Sequence, residues 1–426
     1  MASGTSLLRA IATLLMGGAL AQLIPLALGP LLARLYTPEA FGAFAAFTTV
    51  SATVAVLACA RYEFALPMAR NAEQARWLLL LCVRILGLVG LASIPVAWVL
   101  AQLYDLPQPH WLPLGVCAAG LLQLLVMWNN RAERFRTLAI SRVVQYGGAA
   151  VLQATLGAWL WWQSRSPAGL DQAWALVIGP ITACLLACIP LLLHRPEGGW
   201  VALCKPLSPS ERQHVKQTAH TYRDFPLLNT PHAFLGTLQD ALAVALLIAI
   251  TGQAAAGFWG LALRYLKAPA TLVGSAVSQA LYPRLTGTTS EAARRAVRHT
   301  MLVLGAVAVV LMVILMVVGP WLFVWMFGAQ WHEAGELARA LAPYIAVHFV
   351  AAPMAVVTMA WQAQRWAFHF AIVGQILFVG ALALGLHLGG LQGGAWAVSA
   401  VMVLYFGYYF YRLAFWPHIP QNVEQG

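Results

Sequence analysis

Long apolar runs separated by short polar joints follow one another along the whole chain. Runs of this length cross a bilayer as helices, because lipid offers no partner for a backbone N–H or C=O. The pattern predicts an all-α integral membrane protein with twelve transmembrane helices, at residues 10–33, 42–66, 77–103, 111–128, 139–162, 172–193, 226–250, 254–282, 300–327, 337–360, 367–388 and 393–412.

Composition agrees with this pattern. The 426 residues are 61% hydrophobic and only 9% charged, which leaves too little polarity for the surface of a soluble protein. A net charge of +11 would suggest nucleic acid as the partner of a soluble protein. In a membrane protein, an excess of Lys and Arg in cytoplasmic loops explains the same charge, so we expect no nucleic-acid partner.

The distribution of Lys and Arg predicts the orientation. With the N-terminus inside, eighteen of the 25 basic residues fall in inner joints, and only Arg34, Arg165 and Arg339 fall in outer joints. Cytoplasmic loops carry such an excess. Both termini are therefore predicted to be cytoplasmic, and an odd number of spans would remove the asymmetry.

The longest joint divides the chain near its middle, and the two halves resemble each other. "TPEAFGAFAAFTTV", which opens the second span, is similar to "TGQAAAGFWGLALR", which opens the eighth. Because six spans separate them, the halves are predicted to be parallel six-helix repeats. The predicted organisation is an N-terminal six-helix lobe at 1–193, a cytoplasmic linker with a short basic helix at 194–225, a C-terminal six-helix lobe at 226–412 and a cytoplasmic tail at 413–426.

Two capping signals occur in basic joints. Ser208, Pro209 and Glu211 form the pattern of a capping box, and Thr288 with Glu291 repeats it. Both signals predict short basic helices on the inner membrane face, where anionic lipid attracts them.

The first and seventh spans, which are counterparts in the two halves, both contain proline. Pro25 and Pro30 lie in the first, and Pro226 and Pro231 in the seventh. Kinked helices in equivalent positions indicate the moving parts of a transporter, although proline is also common in ordinary membrane helices.

Arg142, Arg339 and Arg412 lie at the ends of predicted spans and are counted with the joints. Six further charged residues fall inside the predicted spans, where each costs about 2.5–3.5 kcal/mol at the bilayer centre. They are Arg61, Glu63, Arg84, Asp240, Arg264 and Lys267. We expect them to face a wet cavity or one another. For Arg61 and Arg84, which lie toward the inner end of their spans, snorkelling to the interface is the alternative.

The charged set has a positive balance, which suits an anionic substrate, and arginine matches the geometry of phosphate. Arg264 and Lys267 are three residues apart and are predicted to share a helix face. Glu63 and Asp240 are rival candidates for a proton or cation site. Asn229 precedes Asp240 by about three helical turns, which predicts a polar stripe along the seventh span.

Other chemistry leaves no signature in the sequence. We find no nucleotide-binding loop, no catalytic set and no metal-ligand cluster, and the six cysteines lack zinc or disulfide spacing. We expect no catalytic residue, no metal and no cofactor other than H⁺ or Na⁺ as a coupling ion.

Three stretches carry a family resemblance: "LLARLYTPEAFGAFA", "RYEFALPMARNAEQA" and "GFWGLALRYLKAPATLVGSAVSQALYP". They resemble the polysaccharide flippases, the O-antigen and capsule repeat-unit translocases of the multidrug/oligosaccharidyl-lipid/polysaccharide exporter superfamily. The likeness extends over essentially the whole chain.

The resemblance implies a V-shaped bundle in the bacterial inner membrane that works by alternating access. The implied substrate is an oligosaccharide on undecaprenyl pyrophosphate, moved from the cytoplasmic to the periplasmic leaflet. Arg61, Arg84, Arg264 and Lys267 would hold the pyrophosphate and sugars, and an ion at Glu63 or Asp240 would bias the lobes. Further expected partners are membrane lipids and the polymerase and chain-length machinery of the glycan pathway.

Three alternatives remain at this level. A multidrug/cation antiporter of the same superfamily predicts a more acidic, aromatic cavity, and a lipid II-type flippase would carry a related lipid. A membrane enzyme that polymerises or ligates glycans would need a large outer loop with polar catalytic groups, and the outer joints are short.

Overall fold

The computed structural model describes residues 4–104, 108–196, 198–206, 208–286 and 289–416, and helices dominate these residues. The helices are α1 (Gly4–Leu35), α2 (Pro38–Ala55), α3 (Ala72–Tyr104), α4 (Leu112–Arg131), α5 (Phe135–Ser164), α6 (Trp174–Leu192), α7 (Gly199–Cys204), α8 (Pro209–Thr221), α9 (Thr230–Thr251), α10 (Gln253–Leu266), α11 (Ala268–Thr286), α12 (Ser290–Phe327), α13 (His332–Ala360) and α14 (Gln364–Ala414). All twelve predicted spans overlap these helices.

Length and hydropathy identify seven helical segments in the described part of the chain that could cross a membrane. These segments are Ala72–Gln102, Pro109–Arg131, Leu170–Leu192, Phe225–Thr251, Ser290–Phe327, Ala329–Ala360 and Gln364–Ala414. The last of them contains two predicted spans. The other predicted spans overlap α1, α2, α5 and the pair α10 and α11, and the total of twelve stays a prediction.

The second predicted span, 42–66, is wrong as a single helix. Helix α2 ends at Ala55, a chain of turns follows, and a 3₁₀-helix runs over Tyr62–Met68. Within the turns, Ala60 and Arg61 both adopt left-handed backbone angles, with φ values of 47° and 64°. This conformation costs L-residues about 1–2 kcal/mol each. The eighth span is also divided, because α10 ends at Leu266 and α11 begins at Ala268.

Helix α14 is a hairpin of two antiparallel helices. Gly389 and Gly390 have non-helical backbone angles and separate helices over 364–388 and 391–414. The Tyr405 hydroxyl donates a hydrogen bond of 2.9 Å back to the Phe370 carbonyl. The predicted eleventh and twelfth spans, 367–388 and 393–412, therefore form a closely packed pair with a very short joint.

Glycine is required where the two halves of α14 cross. A β-carbon on Gly385 would collide with the Gly393 carbonyl oxygen and lie 2.7 Å from the Ala397 Cβ. Gly385→Leu is therefore expected to lower the free energy of unfolding by about 3 kcal/mol, because backbone cannot yield to an overpacked side chain. The melting temperature of the purified protein in detergent measures this loss.

The matched control for this prediction is Gly380→Leu. Gly380 lies on the same helix, but a β-carbon there would meet nothing within 4 Å. Equal melting temperatures for the two leucine variants would contradict the crossing at Gly385.

The structure contains two compact units, Met1–Ala245 and Leu246–Gly426, which divide within α9. In the first unit, α5 packs on both α1 and α6, and α4 packs on α2, α3 and α6. In the second unit, α13 is central and packs against α10, α11, α12 and α14. The lobe boundaries predicted from the sequence stay a prediction.

The predictions from the two capping signals have different outcomes in the structure. The first is confirmed, because Ser208 Oγ accepts from the Glu211 N–H at 3.3 Å and Glu211 Oε2 accepts from the Ser208 N–H at 2.9 Å. The second does not start a short helix. Thr289 caps α12, which continues for 38 residues to Phe327, and Thr288 lies outside the described residues.

Candidate functional site

Arg61 and Glu63 lie on the irregular segment after α2. The guanidinium of Arg61 stands 4.8 Å from the centre of the Phe64 ring. Glu63 is 4% exposed. Arg61 Nε and Glu63 Oε2 are buried without a hydrogen-bond partner among the described residues. A buried acid and a half-buried base whose polar atoms lack hydrogen bonds lower the stability of the fold, which favours a functional role for them.

The helical geometry predicted for these two residues is wrong. In a continuous α-helix, Arg61 and Glu63 would lie about 200° apart around the helix axis. The structure has a left-handed turn and a 3₁₀-helix in place of that α-helix. The conclusion that they do not form a same-face pair still holds, since none of the ion pairs in the described chain joins them.

The linker helix α8 packs beside this segment. The Tyr62 hydroxyl donates a hydrogen bond of 3.1 Å to the Ala219 carbonyl near the end of α8. The Trp77 ring of α3 stacks on His214 with ring centres 5.1 Å apart. The predicted linker is therefore part of the first unit and covers the segment that carries Arg61 and Glu63.

Arg84 also contacts the linker. Its Nη2 donates a hydrogen bond to the Lys205 carbonyl oxygen, while its Nε is buried without a partner in the described chain. Nearby, Arg76 pairs with Glu211 at 3.7 Å. Hydrogen bonds from the Ser208 backbone N–H and hydroxyl hold the pKa of Glu211 below its usual value. Arg84 thus has a positioning role in addition to the predicted role in substrate binding.

Asn229 and Asp240 lie on exposed positions of the segment around α9. Asn229 ends a π-helical turn, Phe225–Asn229, and α9 follows directly. Asp240, which the sequence placed deep in the seventh span, is exposed in the described structure. Of the two carboxylates predicted as rival ion sites, only Glu63 is buried within its unit.

In the second unit, Lys267 contacts an aromatic cluster. It caps the C-terminus of α10, and its Nζ lies 5.8 Å from the centre of the Tyr344 ring, within cation–π range. The ring of His348, one turn further along α13, lies 5.7 Å from that of Tyr344. Phe378 and Phe406 of α14 pack against these two rings. Because Tyr344 is buried, this contact fixes the Lys267 ammonium, and a cation held in this way can bind phosphate.

Arg264 lies one turn before Lys267 and is half-buried. The neighbouring Tyr265 ring packs on Phe327 with centres 4.7 Å apart. The sequence pattern identifies both cations but does not place Tyr344 and His348 beside them. Their spacing of four on α13 indicates a shared face, yet nothing in the sequence pairs that face with α10.

Comparison with known proteins identifies the family. The family model described as "Polysaccharide biosynthesis protein" matches residues 31–336, which is most of the chain. The chain belongs to the polysaccharide biosynthesis protein family. The resemblance identified from the sequence is thereby confirmed. No curated protein matches the chain.

Solved structures confirm the fold of this polysaccharide biosynthesis protein. An inward-facing multidrug resistance MATE family transporter of the MOP superfamily matches with a TM-score of 0.63 at 14% identity, over 92% of this chain and 95% of that one. Lipid II flippase MurJ in an inward closed conformation matches with a TM-score of 0.65 at 10% identity, over 94% and 89%. The all-α membrane fold predicted from the sequence is thereby confirmed.

Proposed function

We propose that this polysaccharide biosynthesis protein is a flippase for oligosaccharide repeat units of O-antigen, capsule or exopolysaccharide. The units are carried on undecaprenyl pyrophosphate from the cytoplasmic to the periplasmic leaflet by alternating access. The family match supports the glycan, and the lipid II flippase among the proteins of the same fold supports a lipid-linked substrate.

The observation that carries this proposal is a set of cations that form no ion pair. None of the ion pairs in the described chain involves Arg61, Arg84, Arg264 or Lys267. Positive charge at membrane depth that no ion pair neutralises is costly unless a bound anion neutralises it.

A pyrophosphate needs such groups to cross hydrocarbon. Transfer of an ionised group from water into an apolar medium without compensation costs on the order of tens of kcal/mol. Charge-assisted hydrogen bonds from arginine and lysine replace the lost water. Tyr344, which is buried, packs beside Lys267 and holds its ammonium in place for the phosphate.

We further propose that the protein lies in the bacterial inner membrane with both termini in the cytoplasm, and that Glu63 binds the coupling ion, a proton or Na⁺. Its burial and its unpartnered Oε2 favour it over the exposed Asp240. Transport then needs no nucleotide, because the ion gradient supplies the free energy.

A multidrug exporter is the second candidate, since a MATE family transporter shares the fold. Cationic drugs would require an excess of acidic groups along the path. The four cations outnumber the two carboxylates of Glu63 and Asp240, and this positive balance favours an anionic substrate instead.

Deletion in the native bacterium tests the proposal. Loss of the flippase is expected to leave complete undecaprenyl-linked repeat units on the cytoplasmic side, with no polymer at the surface. Extraction and mass spectrometry of the lipid-linked intermediates measure this. A deletion strain that makes normal surface polymer but becomes sensitive to cationic dyes would support the exporter and contradict the flippase.

A further inference from the structure

The second unit contains an apolar groove that the proposed transport path does not use. It lies between α12, α13 and the second half of α14, is open along one side, and has a volume of about 700 Å³. Met301, Val309, Val350 and Phe410 are among its lining residues, and Arg298 is the one charged side chain among the described residues that line it. We call it the α12–α14 groove.

Arg298 is fixed at one end of this groove. Its Nε donates a hydrogen bond of 3.0 Å to the Ala414 carbonyl, and its guanidinium lies 4.7 Å from the centre of the Phe415 ring. No hydrogen bond within the described chain uses its two terminal nitrogens. The guanidinium is thereby held in place with donors left for an anion.

The groove has the length of a lipid chain. Along α12 it extends from Arg298 to Met312, about 21 Å at the helical rise. One leaflet of the hydrocarbon core is about 15 Å deep. A chain that starts at the level of Arg298 therefore reaches the bilayer centre within the groove.

Gly305 leaves space along the groove between these ends. A β-carbon at this position would meet nothing within 4 Å. The absence of a side chain there keeps the groove open, although glycine costs about 1 kcal/mol in a helix relative to alanine.

We propose that the α12–α14 groove binds one acyl chain of an anionic phospholipid, with the phosphate of its headgroup on Arg298. Charge complementarity selects this occupant. Arg294 and Arg295 lie in the preceding turn of α12, and a basic site at the end of membrane helices attracts anionic headgroups. The inference does not depend on which substrate the protein transports.

Native mass spectrometry of the purified full-length protein tests the site. The protein in detergent is mixed with equal amounts of phosphatidylglycerol and the zwitterionic phosphatidylethanolamine. We expect phosphatidylglycerol to be retained about tenfold more, because both lipids offer a phosphate to Arg298 but the ammonium of phosphatidylethanolamine is repelled by the basic end of the groove; a difference of about 1.4 kcal/mol is a factor of ten.

Four variants locate the lipid. Gly305→Leu fills the groove and is expected to reduce the retained phosphatidylglycerol about tenfold, without lowering the melting temperature, since leucine favours the helix. Gly380→Leu, at another open glycine outside the groove, should retain lipid as the wild type does. Arg298→Gln should remove the preference between the two lipids, and Arg298→Lys should keep most of it.

Three results would overturn this inference. They are unchanged phosphatidylglycerol retention in Gly305→Leu, equal retention of both lipids by the wild type, and complete displacement of phosphatidylglycerol by an equal amount of undecaprenyl phosphate. The last result would assign the groove to an isoprenoid chain instead.

Discussion

Replacing Arg264 and Lys267 together with methionine is expected to lower export of lipid-linked repeat units about 100-fold. Each charge-assisted hydrogen bond to the pyrophosphate contributes about 1.5–3 kcal/mol, and each 1.4 kcal/mol is a factor of ten. Methionine has a similar length, packs adaptably and suits the membrane. Surface polymer in a complemented deletion strain measures export, and immunoblotting of membranes measures the amount of protein.

The fold should tolerate this double substitution. Neither cation forms an ion pair within the described chain, and the contact of Lys267 with the Tyr344 ring contributes only about 1 kcal/mol. Arg295→Gln is the matched control, because its side chain is 73% exposed and pairs only with the equally exposed Glu291. Wild-type export from a double mutant present at normal abundance would remove both cations from the binding site.

Glu63→Gln is expected to abolish the response of transport to an ion gradient. The amide has the shape of the carboxyl group but cannot bind or release the coupling ion. Coupling free energies between sites are about 1–3 kcal/mol, so the stimulation by a gradient, about tenfold in the wild type, should fall to about one. Transport into proteoliposomes, with and without an imposed pH or Na⁺ gradient, measures this ratio.

Asp240→Asn distinguishes the two rival carboxylates. Asp240 is exposed on α9, whereas Glu63 is buried. The asparagine variant should keep its response to the gradient. The reverse outcome, with coupling lost in Asp240→Asn and kept in Glu63→Gln, would transfer the ion site to α9.

Much of the fold could be predicted because its signals are local. Apolar run length and short polar joints identify membrane helices, and every predicted span overlaps a helix. The capping box of Ser208 and Glu211 depends on residues three apart, so it could also be identified directly. The family resemblance rested on local motifs, and the match over residues 31–336 confirms it.

The break after α2 could not be predicted. The stretch from Val56 to Arg61 contains no glycine or proline, and its left-handed residues are an alanine and an arginine. Tertiary packing imposes this conformation. The packing of Cys59, Tyr62 and Leu66 in the core of the first unit compensates for the free-energy cost of the left-handed residues. A strained backbone at a charged position is typical of functional segments.

The candidate site was predicted by residue type but not by arrangement. Charged residues in apolar runs are conspicuous, which identifies Arg84 and Lys267. Their contacts, the Lys205 carbonyl for one and the Tyr344 ring for the other, join residues far apart in sequence. Such contacts depend on how helices pack, and hydropathy contains no information about this.

The two-residue joint at Gly389 and Gly390 has a consequence for biogenesis. A joint this short leaves no polar loop that could be translocated separately, so the two halves of α14 must enter the bilayer together as one unit. The close crossing at Gly385 then fixes their pairing during insertion. A premature stop codon within the last helix would therefore leave the preceding helix without its partner. The product would be a misinserted chain, a substrate for quality-control proteases, and not a shortened transporter.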